Sequence, residues 1–173
     1  MKWIGIALAV LAALILLMFG VGALLPVKHV ATRAARFHQP PAVVWAVITR
    51  IDLFPSWRPG LKKIERLPDR NGMPAWKEFD SHDQALPLEV TEWTPPARMV
   101  TRITNPKLPF GGAWTYEIQS VDGGSALRIT ENGEVYNPFF RFVSRFVLGY
   151  RSAIDAYLKA LSQKFGEPVA FED

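Results

Sequence analysis

The pattern of apolar and polar positions divides the chain into three regimes. From Ile4 to Leu25 there is no charged residue, and nearly every side chain is aliphatic or small. A helix over that stretch would be about 33 Å long, enough to cross a hydrocarbon core of about 30 Å. Trp3 sits at one edge, where an amphipathic ring favours the headgroup level, and Pro26 marks the other end. Residues 3–25 are therefore expected to form a single transmembrane anchor. A cleaved signal peptide would share the Met1-Lys2 opening, but its apolar region usually runs to about 7–15 residues. Val21-Gly22-Ala23 is a weak cleavage site.

The second regime has the short period of strands. Residues 28–37 read as a first strand, and His38-Gln39-Pro40-Pro41 breaks it. Pro40 or Pro41 can start a short helix over Ala42–Arg50, and Ile51–Trp57 reads as a second helical turn. Six further strands follow at Lys62–Leu67, Ala75–Asp80, Ala85–Thr94, Arg98–Thr104, Ala113–Val121 and Ser125–Val135. Asn71-Gly72 and Asp122-Gly123-Gly124 are tight-turn signals between them. Links this short demand an antiparallel meander, because parallel neighbours need long crossovers.

The third regime has the period of a helix. From Pro138 to Gly166 the residues Phe139, Phe142, Phe146, Ala153, Tyr157, Leu161 and Phe165 recur by three, four or seven. Asn137 can cap the start, and Gly166 with Pro168 stops the end. The pattern predicts one helix of roughly 28 residues, about 42 Å long. One helix cannot cover a flat sheet of six or seven strands, so the sheet should curl around it and leave room for a cavity. The expected fold is α+β: a curled seven-stranded antiparallel sheet around a long C-terminal helix, with two short helices after the first strand. The expected division is an anchor at 1–27, a domain at 28–166 and a tail at 167–173.

Composition removes several classes of function. With no cysteine there is no disulfide framework, thiolate nucleophile or Cys-based zinc site. The net charge of +4, without a Lys/Arg block, gives no reason to expect a nucleic-acid partner. Of the three histidines, His29, His38 and His82, none has a second His at ligand spacing, so no metal or other cofactor is expected. His82-Asp83 falls in a polar turn and reads as solvated loop. No Gly-x-Ser-x-Gly elbow, P-loop or dinucleotide fingerprint occurs. Lys2 flanks the apolar stretch on one side, and Lys28, Arg33 and Arg36 on the other. The positive-inside rule leans slightly towards a cytoplasmic domain, in a single-pass protein of a bacterial inner membrane.

The layout and some local wording resemble the START-like helix-grip superfamily (SRPBCC), including its polyketide cyclase/dehydrase and lipid-transport members. The resemblance covers residues 28–166. It is carried by Pro40-Pro41-Ala42-Val43-Val44-Trp45 through Phe54-Pro55-Ser56-Trp57, and by Arg128–Gly133 running into the Phe-rich helix. It implies a deep hydrophobic pocket between sheet and helix for a lipid, polyketide or other apolar molecule, and it implies no single reaction.

Candidate residues follow from face and phase. Trp114, Tyr116 and Ile118 share one strand face, expected to look inward. Trp57, Trp114, Tyr116, Phe142, Phe146 and Tyr157 are the expected ligand-binding residues, with ordinary core packing as the alternative for each. Glu131, in phase with Leu127 and Ile129, is either a pocket acid or base or an edge residue, and Glu117 is the other carboxylate candidate. Phe140 and Val147 exceed the stripe beside Arg141 and Arg145, and mark either a membrane-touching rim or a wide core contact. The leading functional expectation is an anchored module that binds a hydrophobic ligand. The alternatives are an anchored adaptor or stress protein with a filled core, and a cyclase/dehydrase-like enzyme using a pocket carboxylate.

Overall fold

The computed structural model describes residues 2–172. The apolar stretch forms helix α1 (Lys2–Leu24), whose membrane-length apolar window contributes nothing to the core of the rest. Strand β1 (Lys28–Phe37) follows, then α2 (Pro41–Thr49) and a 3₁₀ turn over Ile51–Ser56. Pro41 at the first helical position of α2 has no N–H to leave unsatisfied and a backbone already set for the helix. Strands β2 (Leu61–Arg70), β3 (Met73–Asp80), β4 (Ala85–Thr94), β5 (Arg98–Ile103), β6 (Phe110–Val121) and β7 (Gly124–Val135) form the meander. Asn71 and Gly72 both take positive φ, as a tight β2–β3 turn requires.

The sheet is open and antiparallel, in the order β2-β3-β4-β5-β6-β7-β1-β8. It has eight strands, one more than the sequence pattern predicts. The extra strand, β8 (Ala170–Glu172), pairs with the free edge of β1 through Ala35 and Phe171, in the stretch expected to be a tail. β1 closes on β7 over its whole length, and the opposed hydroxyls of Thr32 and Thr130 lie 3.1 Å apart.

The C-terminal helix departs most from expectation. It is split into α3 (Pro138–Val143), a π turn over Ser144–Leu148, and α4 (Ser152–Phe165). Gly149 lies between them at φ 78, ψ 142, a conformation no helix contains. The Ser152 hydroxyl donates to the Gly149 carbonyl at 3.0 Å, so the break carries its own hydrogen bonding. Asn137 caps α3 by accepting from the backbone N–H of Phe139 at 2.9 Å. Gly166, left-handed at φ 71, ends α4, with Glu167 N–H returning to the Ser162 carbonyl as in a Schellman motif.

Ile154, Leu158 and Leu161 of α4 are fully buried against Leu127 and Ile129 of β7, Val44 and Ile48 of α2, and Ile51. α3 packs instead on α1. Phe19 and Phe139 lie 5.7 Å apart, and Gly22 is so close to Pro138 that a Cβ would sit 1.9 Å from its carbonyl oxygen. Arg141 donates to the Leu25 carbonyl at 2.7 Å, and Val135 N–H to the Val27 carbonyl at 2.9 Å.

Candidate functional site

Between the sheet and the helices lies a cavity of about 320 Å³. Ile48, Ile51 and Phe54 line one side, and Trp76, Leu88, Met99, Trp114 and Tyr116 the sheet side. Gly111, Gly112 and Ala113 at the start of β6, with Phe110 and Ala153, line one end. The volume falls in the range of small-molecule sites, and the wall has their usual character, apolar with a few fixed polar groups.

The largest polar feature joins the segment after the 3₁₀ turn to β3. Arg58 grips Glu78 with two parallel hydrogen bonds, 2.6 and 2.9 Å, the fork-to-fork geometry that orients both groups. Trp76 Nε1–H donates to the same carboxylate at 3.2 Å. The guanidinium lies over the rings of Phe54 and Tyr157, at 5.1 and 5.4 Å from their centroids. Burial works to lower the Arg58 pKa, but the Glu78 carboxylate outweighs it and raises it on balance. A second pocket, of about 410 Å³, shares Arg58, Glu78, Leu86 and Phe110 with the first, so the ion pair stands in a wall common to both.

Beside the pair is an aromatic cluster. Tyr157 touches Trp57, Tyr116 and Trp114 at ring separations of 5.3, 5.8 and 5.9 Å. Burial raises the Tyr116 pKa and holds its hydroxyl protonated, and Thr101 is hydrogen-bonded to it. A cavity ligand therefore meets a neutral phenol there, able to donate.

The other carboxylate in the wall is Glu131. Burial raises its pKa, and a hydrogen bond from Trp114 opposes that only in part. His29 Nε2 lies 3.6 Å from Glu131 Oε1, too long for a hydrogen bond, and burial lowers the His29 pKa. Both shifts work against charge on the two groups, and 3.6 Å is too long for the close contact of a strong ion pair. The His29 ring stacks on Tyr150, centroids 4.0 Å apart. A carboxyl with a pKa higher folded than unfolded contributes its full stability below its ordinary value of 4.5 and loses it as pH rises through the raised value. Glu131→Gln removes that loss. In thermal melts of the full chain in detergent, the variant should match the native chain near pH 4 and exceed it at pH 8. A variant less stable at pH 8 would establish a true ion pair with His29.

The sequence-derived candidates separate cleanly in space. Trp114, Tyr116 and Glu131 line the cavity. Trp57 and Tyr157 stand behind them in the aromatic cluster, and the indole N–H of Trp57 has no partner among the described residues. Phe142 and Phe146 lie elsewhere, on the α3 and π-turn segment, packed on each other at 5.0 Å. The break at Gly149 shifts the helical phase, so residues before it do not continue the face that carries Tyr157. Glu117 points to the opposite face of the sheet from Tyr116 and pairs with Arg98 at 2.5 Å. His82-Asp83 is in an exposed turn, where Asp83 pairs with Lys62. Among the described residues there is no cluster of His, Cys, Asp and Glu fit for a metal. Arg58, Glu78 and Thr101 are absent from the sequence-derived set. Their one legible signal is that Glu78 shares strand phase with buried Trp76.

Comparison with known proteins agrees with this architecture. No curated protein matches the chain. Among solved structures, a START superfamily protein from Mycobacterium smegmatis superposes with a TM-score of 0.63 at 14% identity, over 79% of this chain and 96% of that one. A Thermobifida fusca protein gives 0.62 at 18% identity, over 79% and 93%. The di-domain ARO/CYC BexL of the BE-7585A biosynthetic pathway gives 0.58 at 13% identity, over 85% of this chain, which spans 49% of that protein. At these identities the likeness is one of fold. The sequence profile described as polyketide cyclase / dehydrase and lipid transport matches residues 28–166, and the chain belongs to that family.

Proposed function

We propose that this protein is a membrane-anchored binding module that holds one apolar molecule, of lipid or polyketide-like character, in the cavity between sheet and helices. The observation that carries the reading is the cavity itself, about 320 Å³ with a mainly apolar wall and a few oriented polar groups. Tyr116 and Thr101 suit a carbonyl or hydroxyl on an otherwise apolar ligand. Trp114 and Tyr116 face the ligand directly, and Trp57 and Tyr157 hold them in place. The family's description, which includes lipid transport, supports the ligand class. The length and hydropathy of α1 support a single-pass anchor over residues 3–25. A cavity of this size, not closed by the chain's own aromatic side chains, favours ligand binding over an adaptor with a packed core.

Native mass spectrometry of the full chain, released from detergent and followed by solvent extraction, tests the reading. One apolar molecule per chain is the expected result. A clean apo mass, with no uptake from a panel of phospholipids, fatty acids and aromatic polyketides, would overturn it. A catalytic reading is favoured by one observation, the desolvated Glu131 in the cavity wall, poised as a proton donor or acceptor. It requires that Glu131→Gln abolish turnover while ligand retention persists.

A further inference from the structure

We infer that the segment from Phe139 to Leu148 is seated in the headgroup layer of the leaflet that α1 enters, so that the domain is partly embedded in the bilayer. The inference rests on the anchor reading of α1 and deepens it. Phe140, Phe146, Val147 and Leu148 are 46%, 57%, 67% and 62% exposed, an apolar concentration in one short segment that water would not favour.

What covers this surface follows from what the segment is fixed to. Phe139 packs on Phe19, and Pro138 on Gly22, with no space for even a methyl group between them. Phe19 lies five residues before the end of α1 at Leu24, about 8 Å along the axis. If residues 3–25 cross about 30 Å of hydrocarbon, Phe19 is inside the membrane boundary. Its partner Phe139 is then carried to nearly the same depth. Arg141 reaches back along this contact to the Leu25 carbonyl, as a long cationic side chain does when its backbone lies below the water level. Arg145 within this segment and Arg151 just past Gly149 are exposed, placed for lipid phosphates. Apolar side chains interleaved with arginines, joined to a spanning helix, fit a phospholipid leaflet.

The chain has no cysteine, so single cysteines report without background. The full chain is reconstituted in nanodiscs of phosphatidylcholine and phosphatidylglycerol. An environment-sensitive fluorophore is attached at Phe140→Cys, Val147→Cys, Leu11→Cys or, in the distant β6–β7 turn, Asp122→Cys. Doxyl-labelled lipid is the quencher. Quenching at positions 140 and 147 should be at least about threefold that at 122, as for interfacial side chains, with position 11 also quenched. Quenching at 11 with 140 and 147 no different from 122 overturns the docking and leaves the anchor standing. Absence of quenching at 11 removes the anchor and the docking together. Unquenched labels at 140 and 147 whose emission shifts blue as chains per disc increase would assign the surface to a second copy and overturn the lipid assignment.

Discussion

Arg58→Ala is expected to destabilise the domain by about 3–5 kcal/mol, more than truncation of almost any single surface residue. The guanidinium is Glu78's main partner, through two hydrogen bonds, and the carboxylate side chain is only 9% exposed. Removing Arg58 leaves a buried charge held by the 3.2 Å hydrogen bond from the Trp76 indole N–H. Removing both charges has a different effect, because desolvation and attraction disappear together. Arg58→Met with Glu78→Leu should recover most of the loss. Thermal unfolding of the full chain in detergent, run as a double-mutant cycle, checks both statements. A single variant within about 1 kcal/mol of the native chain would mean that the pair behaves as a solvated surface bridge. The cycle also separates two roles of the pair. If the double variant is stable but no longer retains ligand, the pair serves recognition as well as folding.

Gly112→Ala should cost about 2–4 kcal/mol, by strain and overpacking together. Gly112 sits at φ 124, which side-chain-bearing residues rarely adopt, and a Cβ there would lie 2.3 Å from the Asn132 carbonyl oxygen. The obstacle is backbone, paired in register across β6 and β7, so no rotamer change relieves it. Because Gly112 lines the cavity, the same substitution should also lower ligand retention in the native mass measurement. Gly123→Ala is the matched control. It shares a positive φ of 76 but has open space around its Cβ, so only the strain component of the cost applies. Equal melting temperatures for the two variants would show that β6 and β7 separate freely at Gly112.

The meander was legible because its information is local. Asn71-Gly72 and the glycines after Asp122 set the turns, and period two put Trp114, Tyr116 and Ile118 on the inner face. β8 was not legible. Three residues after Pro168 have no alternation to read, and they become a strand only because β1 offers an edge some 135 residues earlier in the chain. The split helix was hidden by a regular apolar stripe. Gly149 costs only about 1 kcal/mol inside a helix, too little to announce a break, and the competing pull comes from α3 packing on α1. The site divided in the same way. Trp114 and Tyr116 declare themselves by phase, whereas Arg58 and Glu78 become a feature only when the segment after the 3₁₀ turn is laid across β3.

Only Leu25, Pro26 and Val27 separate α1 from β1, and two of their carbonyls are clamped by Arg141 and Val135. Even fully extended, such a joint has a reach of about 10 Å, and clamped it has less. If α1 spans a bilayer, as proposed, the domain cannot swing out to sample the surrounding solution. Its encounters would then be two-dimensional, set by lateral diffusion and by surface density rather than by bulk concentration. A cargo that reaches the cavity through the leaflet would therefore compete by its mole fraction among lipids, and a cell could tune occupancy by changing membrane composition alone.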